Sequence, residues 1–421
     1  MGSLSMPKSE LIVGLDIGTT KICAVVGEPS ENGIDIIGIG TSPSNGLRKG
    51  VVVNIDQTVQ SIRKAVEEAE LMAGCEIKSV YAGIAGSHIK GVNSHGVIAV
   101  KGGGEVTQHD VDRVLDAAKA VAIPMDREVI HILPQGYIVD EQRGIANPIG
   151  MSGVRLEANV HIVTGAVTSA QNIVRSCNRS DLDVSDIVLE SLASSKSILT
   201  EEEREIGVAI VDIGGGTSDI AIFTNNAIRH TGAVALGGNN LTNDIAFGLR
   251  TSISAADKLK IKYGCALTEM VRPDETIEVP GVGGRPARTV ERRVLAEICE
   301  PRMEEILALV YQELEHSGLK RQLGAGVVLT GGAALIPGCA ELAEEIFQMP
   351  TRLGYPRNVG GLKDVINNPK FATAVGLLFY GAEKENEEAP VRFTSAPSSA
   401  AESSLFHGVW ERMKRWFGDI R

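Results

Sequence analysis

The sequence predicts an α/β fold built twice, with two domains facing each other across a phosphate-binding cleft and a small α+β subdomain inserted in the first half. Three observations carry that expectation. Asp16-Ile17-Gly18-Thr19-Thr20-Lys21 and Asp212-Ile213-Gly214-Gly215-Gly216-Thr217-Ser218-Asp219 place the same chemistry about half a chain apart. Each loop follows an apolar run that reads as a buried strand, Leu11 to Leu15 and Ile206 to Val211, and each precedes a second β-rich run, Ile22 to Gly27 and Ile220 to Thr224. The elements that follow recur in the same order, which indicates an internal duplication. At 421 residues and 44.6 kDa the chain is too long for one compact core.

In the first half, Ile34 to Ile39 reads as a third strand. Ile55 to Ala73 carries apolar residues at Val59, Ile62, Val66, Ala69 and Met72, which is helical spacing, and Gly74 stands where a C-terminal cap belongs. Val80 to Ile84 is another buried strand. From about His88 to Gly165 the texture changes: short β-runs (Gly96 to Val100, Val129 to Val139, Val160 to Val163) alternate with Gly and polar residues. One helix there, Thr107 to Val121, takes Thr107 as its N-cap. This stretch, 88–165, is the expected insertion. A helix (Thr168 to Asn178), a strand (Val184 to Leu189) and a helix (Ser191 to Leu199) lead back to the first domain, 10–87 with 166–204.

The second half, expected to begin at Glu205, continues after its hairpin with Ala227 to Leu236, the counterpart of Ile34 to Gly40. Helices follow at Asn239 to Leu249 and Ala255 to Tyr263. A β-excursion (Thr276 to Val279, Thr289 to Arg293) marks a small subdomain, 251–302. Val294 to His316 is helical, with Pro301 expected to kink or break it. Val327 to Leu329 is a strand ending in Thr330-Gly331-Gly332-Ala333, Cys339 to Gln348 is a helix, and Phe371 to Glu383 closes a second domain of 205–250 with 303–383.

Hydrophobic content of 43% and charged content of 22% fit a soluble globular chain, and a net charge of −12 argues against non-specific nucleic-acid binding. The six cysteines are scattered without a C-x-x-C pair, so they read as small core residues in a reducing cytoplasm. Met1 to Glu10 is polar and lacks the apolar segment of a secretory signal; residues 1–9 are expected to be disordered, with Met1 to Ser5 left out of the fold argument. No stretch approaches the roughly 20 apolar residues of a spanning helix. Lys384 to Ser404 is rich in Glu, Ser, Ala and Pro, which describes a disordered linker with an r.m.s. reach of roughly 25 Å. Beyond it, at about 100° per residue, Leu405, Phe406, Val409, Trp410, Met413, Trp416, Phe417 and Ile420 fall within one arc of a helix. Arg412, Lys414, Arg415 and Arg421 make this tail basic on an acidic chain. An amphipathic core helix would have no core to join after such a linker. The pattern fits an interfacial helix, aromatics in the acyl boundary and basic residues on anionic headgroups.

A strand, an Asp, a Gly-rich turn and a returning strand make a hairpin whose tip offers backbone N–H groups to phosphate oxygens, while the Asp can hold a hydrated divalent cation. A single Asp-x-Gly turn is more often a plain tight hairpin. Two in matched contexts indicate a clamp with one jaw in each half. Neither a G-x-x-x-x-G-K-[ST] loop nor a G-x-G-x-x-G opening a helix occurs, which excludes a P-loop protein and argues against a dinucleotide fold. With two hairpins, two connecting segments and a Gly-Gly turn after a late strand, residues 10–383 resemble the actin-like (ribonuclease H-like) ATPase superfamily.

That resemblance implies ATP and Mg2+ as ligands. Asp16 and Asp212 would hold magnesium through water, with Gly18, Thr19, Thr20 and Lys21 on one side of the phosphates and Gly214, Gly215, Gly216 and Thr217 on the other. Glu190, after the strand Ile187 to Leu189, occupies the place of the residue that orients the attacking water, although Ser191 follows it where chaperone-type relatives have Pro. Gly331, Gly332 and Ala333 would let backbone lie against the adenosine. Gly237, Gly238, Asn239 and Asn240 open a helix and would donate N–H groups to phosphate or ribose. Lys258 and Lys262, four apart on one helical face, would pass along the adenine; for Lys262 a solvated charged face is the alternative.

Actin-like sites serve sugar kinases, chaperones and filament proteins alike. Asp140 and Asp181 lack a recognisable kinase context, and too few residues follow the ATPase for a chaperone's substrate domain. The insertion, with Gly102-Gly103-Gly104 and the run His131-Ile132-Leu133-Pro134-Gln135-Gly136-Tyr137, together with the tail, resembles the FtsA family of bacterial cell-division proteins. The resemblance implies nucleotide-dependent protofilaments of the chain with itself, peripheral on the cytoplasmic face of the inner membrane at the division site. It further implies a link between the FtsZ ring and anionic inner-membrane lipids, recruitment of later division proteins to the septum, and at most slow, regulatory ATP hydrolysis. The FtsZ C-terminal peptide would dock around Arg250 to Arg302. A PilM-like pilus-assembly protein is the alternative, disfavoured by the amphipathic tail; a sugar-kinase-type phosphotransferase is a more distant one.

Overall fold

The structure, a computed structural model, describes residues 11–31, 33–100 and 104–388. The expected N-terminal segment 1–9, Gly102 and Gly103, linker residues 389–404 and the amphipathic tail 405–421 lie outside the described residues.

The duplication is visible as two sheets with one strand order. In the first, Ile12–Ile17, Lys21–Ser30 and Gly33–Pro43 form an antiparallel meander, and Ser79–Ile84 then Asp183–Leu189 add in parallel beside Ile12–Ile17. In the second, Val208–Ile213, Ser218–Thr224 and Ala227–Val234 make the same meander, and Val327–Thr330 then Thr351–Leu353 add in parallel. The central strands are buried on both faces, which is why they read as continuous apolar runs. Register repeats as well. Ile17 pairs with Ile22 and Asp16 with Cys23; Ile213 pairs with Ser218 and Asp212 with Asp219.

The helix Ile55–Ala73 matches its apolar spacing, capped by the Asn54 side chain and by Gly74 at φ 66°. The insertion is a four-stranded antiparallel sheet, in order Lys90–Ala99, Arg155–Ala166, Arg127–Val139, Gln142–Ile145, covered by the helix Gln108–Ala118. Thr107 caps that helix, with Asp110 returning the bond. Val106, Val114, Tyr137, Leu156 and Val160 give the insertion its own core.

Three expectations are corrected. The long helix runs unbroken from Arg292 to His316 with Pro301 inside it, because Leu295, Cys299, Met303, Ile306, Leu307 and Val310 bury one continuous stripe. Sequence order placed 303–383 in the second domain. Yet Val359–Gly361 pairs in parallel with Ile34 to Ile36, and Phe371, Ala374, Val375, Leu377 and Leu378 lie in the first core. The last helix, Ala372–Glu388, extends past Lys384, where composition turns polar, because Glu and Lys are good helix formers.

That last helix crosses Glu190–Ile198, and the crossing requires a glycine. A Cβ on Gly376 would sit 1.8 Å from the Ala193 carbonyl oxygen. Gly376→Ala is expected to destabilise the protein by about 1–3 kcal/mol through overpacking. Thermal unfolding followed by circular dichroism checks this, and an unchanged midpoint would mean the helices part without penalty.

Candidate nucleotide cleft

The two Asp-x-Gly hairpins face each other. Strand pairing stops at Ile17–Ile22 and at Ile213–Ser218, leaving residues 18–21 and 214–217 as tips. The tips close identically: Gly18 N–H donates to Lys21 O at 3.1 Å, and Gly214 N–H to Thr217 O at 2.9 Å. They nearly touch, since a Cβ on Gly215 would meet Thr20 Oγ1 at 1.7 Å and one on Gly216 would meet Thr19 Oγ1 at 2.7 Å. Glycine is needed here for space, which the positive-φ rule alone would not reveal.

Together they line a cavity of about 490 Å³. Asp16, Gly18, Thr19, Thr20, Lys21, Glu190, Asp212, Gly214, Gly215, Gly216, Thr217, Gly238, Asn239, Gly331, Gly332 and Ala333 all reach it, so most of the sequence-chosen residues converge. Gly331 adopts φ 88°, and a Cβ there would lie 2.4 Å from Asp212 Oδ1, so the turn seats its backbone directly beside the second-hairpin carboxylate.

Two expectations need correction. Lys258 and Lys262 are exposed and do not line the cavity; Lys262 Nζ lies over the Tyr263 ring at 4.9 Å. The helix Ile253–Tyr263 instead presents Asp257 and Lys260, with the exposed Ile261 at the rim, to the cavity. Choosing the pair four apart picked the wrong side of the helix, since a two-residue offset rotates by about 200°. Lys260 donates to Asp257 Oδ1 (2.8 Å), Thr242 Oγ1 (2.7 Å) and Gly238 O (3.2 Å). The N–H groups at 237–239 are also already used. Gly237 donates to Asn240 Oδ1, while Gly238 and Asn239 donate to the carbonyls of Gly214 and Gly215 at 2.9 and 2.8 Å. This helix start braces the second hairpin, and Gly237 and Asn240 stay outside the cavity lining.

Sequence reading also missed residues. Asp219 is buried, accepts from Thr217 Oγ1 at 2.8 Å and from Gly86 N–H at 3.3 Å, and pairs across the strand with Asp212. Its signal was present, because it closes the second loop where the first has Cys23. Gly50, whose N–H donates to Thr19 Oγ1 at 3.0 Å, and the segment Asn368 to Lys370 with Thr373 carried no motif.

Charge dominates the cleft. Asp16, Glu190, Asp212 and Asp219 converge there, and each carboxyl is pushed above its ordinary range. Burial is the main cause for all four. For Asp212 burial and the adjacent Asp219 raise it to about 7, against donation from Ser194 Oγ (2.9 Å) and Thr373 Oγ1 (3.2 Å). Asp219 rises to about 6 through burial, opposed by the Thr217 and Gly86 donors. Glu190 is held well above 4.5 by burial and then by Asp16, Asp219 and Asp212. Asp16 is raised by burial and lowered by Lys21, whose Nζ stands 3.6 Å away. Lys21 is itself shared with the Lys370 carbonyl at 2.6 Å and the Phe371 ring at 4.6 Å.

Among the described residues no three His, Cys, Asp or Glu side chains are gathered tightly enough to ligate a metal directly. A hard oxygen donor set in a negative cleft does fit a hydrated divalent cation, which keeps its waters and accepts carboxylates through them. No helix among the described residues is long and apolar enough to cross a membrane.

Two like-ordered α/β halves, with matched hairpins meeting in one cleft, define an actin-like ATPase fold. Solved structures agree on the fold. The PilM–PilN type IV pilus biogenesis complex matches at TM-score 0.63 and 14% identity, over 88% of this chain and 98% of that one. MreB 5 of Spiroplasma citri bound to AMPPNP matches at TM-score 0.52 and 16% identity, over 91% of this chain and 99% of that one. The family model for cell division protein FtsA matches residues 209–376, and the model for the SHS2 domain inserted in FtsA matches 86–164, the insertion described above. A cell division protein FtsA of Pseudomonas aeruginosa is 52% identical over 413 residues, 98% of each chain. This chain belongs to the FtsA family of cell-division proteins.

The raised carboxyls set a pH dependence. A carboxyl near 3.8 when unfolded and near 7 when folded holds its proton more tightly in the folded state, so the ligand-free protein loses stability as pH rises between those values. Asp212→Asn removes that loss while keeping an acceptor for Ser194 and Thr373. It is expected to raise the thermal midpoint at about pH 8 and to leave it nearly unchanged at about pH 4. Equal shifts at both would contradict the assignment.

Proposed function

We propose that this chain is an ATP-dependent, actin-like filament protein that ties FtsZ polymers to the cytoplasmic membrane during division and recruits later division proteins. The observation that carries the nucleotide part is the meeting of two matched hairpins and a Gly-Gly turn in one acidic cleft. AMPPNP in the MreB relative of the same fold supports a nucleoside triphosphate there. FtsA membership along the whole chain supports the division role. The pilus-assembly alternative has behind it only a fold likeness at 14% identity.

In this reading magnesium is held through water by Asp16 and Asp212, and it supplies the charge that four crowded carboxylates and a triphosphate require together. The tips Gly18–Lys21 and Gly214–Thr217 receive the phosphates, Lys21 adds a positive charge, and Gly331 to Ala333 carry the adenosine. Glu190, at the first turn of Glu190–Ile198, orients the attacking water. Burial, then Asp16, Asp219 and Asp212, hold the carboxyl at that position well above its ordinary range; in this reading turnover is slow and regulatory, and the nucleotide acts as an assembly switch.

Membrane attachment rests on the tail, Leu405 to Arg421. One interfacial helix binds weakly and reversibly, whereas a filament presents many, and avidity makes attachment firm. FtsZ's C-terminal peptide docks in the small second-half subdomain, around Arg250 to Arg302.

Asp212→Ala is expected to weaken MgATP binding at least about tenfold, measured by fluorescent-nucleotide titration, and to abolish ATP-dependent sedimentation. Unchanged binding and assembly would refute the clamp. Deleting 405–421 is expected to end co-sedimentation with anionic liposomes while leaving ATP binding intact; continued pelleting would refute the anchor.

A further inference from the structure

Glu190 faces the phosphate site only if the junction before it is fixed, and that junction lacks the usual local support. The helix Glu190–Ile198 starts at Leu189, whose side chain cannot cap it. Among the described residues the strand Asp183–Leu189 lies at the edge of its sheet, paired with Ser79–Ile84 alone. An edge strand leaves alternate N–H groups without a ladder partner. The Leu189 N–H finds its acceptor elsewhere, in His131 Nε2 at 2.9 Å.

His131 belongs to the inserted subdomain, on the strand Arg127–Val139. It is buried, and its ring lies 5.9 Å from that of Tyr380, itself fixed by donating to Asp186 Oδ2 at 2.7 Å. Burial, with Lys384 and Lys196 nearby, holds the imidazole down to about 3, so Nε2 remains an acceptor across the physiological range. Glu190 meanwhile packs its Cγ over Gly83, where a Cβ would come within 3.0 Å. Gly83 leaves room for the side chain, and the Leu189 backbone aims it.

The same inserted sheet also grips the other half. Gln135 Nε2 donates to the Ile228 carbonyl at 2.9 Å, and Asn93 Nδ2 to that of Arg229 at 3.1 Å. Both acceptors lie on Ala227–Val234, the strand that pairs, with a bulge at Arg229, with the one bearing Asp219.

From this geometry we infer that His131 is a positioning residue for Glu190, through which the seating of the inserted subdomain sets the geometry of ATP hydrolysis. The inference rests on the proposed role of Glu190. It makes the insertion a control element on the cleft.

The test uses the full-length protein with His131→Phe, which fills the space but accepts nothing, and His131→Gln, whose amide oxygen can reach the Nε2 position. Glu190→Ala serves as the reference. MgATP turnover, fluorescent-nucleotide affinity and amide hydrogen exchange over residues 187–192 of the nucleotide-free protein are measured for each. His131→Phe is expected to lower turnover at least about tenfold with nucleotide affinity changed less than about threefold. The same variant should speed exchange at Leu189, and His131→Gln should restore both. If His131→Phe exchanges and turns over like the parent, or if His131→Gln is as impaired as Phe with affinity falling in step, the inference is overturned. If Glu190→Ala keeps full turnover, the reading of Glu190 itself fails and the inference with it. An inactive Glu190→Ala beside a fully active His131→Phe sinks the inference alone.

Discussion

Four carboxylates in one cleft are the constraint around which the rest of this molecule is arranged. Asp16, Asp212, Asp219 and Glu190 are drawn together by strand and helix ends from both halves, and each is displaced toward its neutral form mainly by loss of water. Such a concentration of charge is unfavourable unless something positive joins it. Lys21 answers part of the demand at Asp16, and Lys260 is already occupied by Asp257, Thr242 and Gly238. The remaining demand suits a cation, and in the proposed function the hairpin tips beside it would take the phosphates. A clamp built in this way is unfavourable when empty and becomes favourable when filled, which suits a switch.

Rigidity around those charges comes from backbone geometry more than from side-chain bulk. The hairpins close through identical bonds, and the second is braced by the helix start at Gly238 and Asn239, whose N–H groups bind its carbonyls. Glycines at 215, 216 and 331 allow chains from different elements to approach within contact distance. Gly376 does the same between the helices that carry Ser194 and Thr373, the two hydroxyls on Asp212. Small displacements of either half must therefore be felt at the carboxylates, because no slack separates them.

The insertion adds a second tie between the halves. His131 reaches the residue before Glu190, while Gln135 and Asn93 hold the outer strand of the second meander. The Gln135 and Asn93 bonds join the insertion to the second half, so a rotation of the halves about the cleft would load them. The SHS2 domain match over 86–164 shows that this element goes with the FtsA family.

The sequence by itself determined the duplicated α/β fold, the position of the insertion and both hairpins, because apolar runs and Asp-Gly turns are local signals governed by strand burial and turn geometry. It also located most of the cleft: Asp16, Asp212, Glu190 and the Gly331–Gly332 turn each end a strand, where chain direction alone sends them to one rim. Only the tertiary structure decided which face of Ile253–Tyr263 turns inward, and so Lys260 over Lys258 and Lys262, because a weakly amphipathic helix takes its rotation from its neighbours. Tertiary packing likewise returned Val359–Gly361 and Ala372–Glu388 to the first core despite their late position in the chain. It also seated His131 on Leu189, a pairing of residues far apart in sequence that no local pattern encodes. Such contacts depend on the relative placement of whole elements, which is fixed only when their apolar faces are buried together.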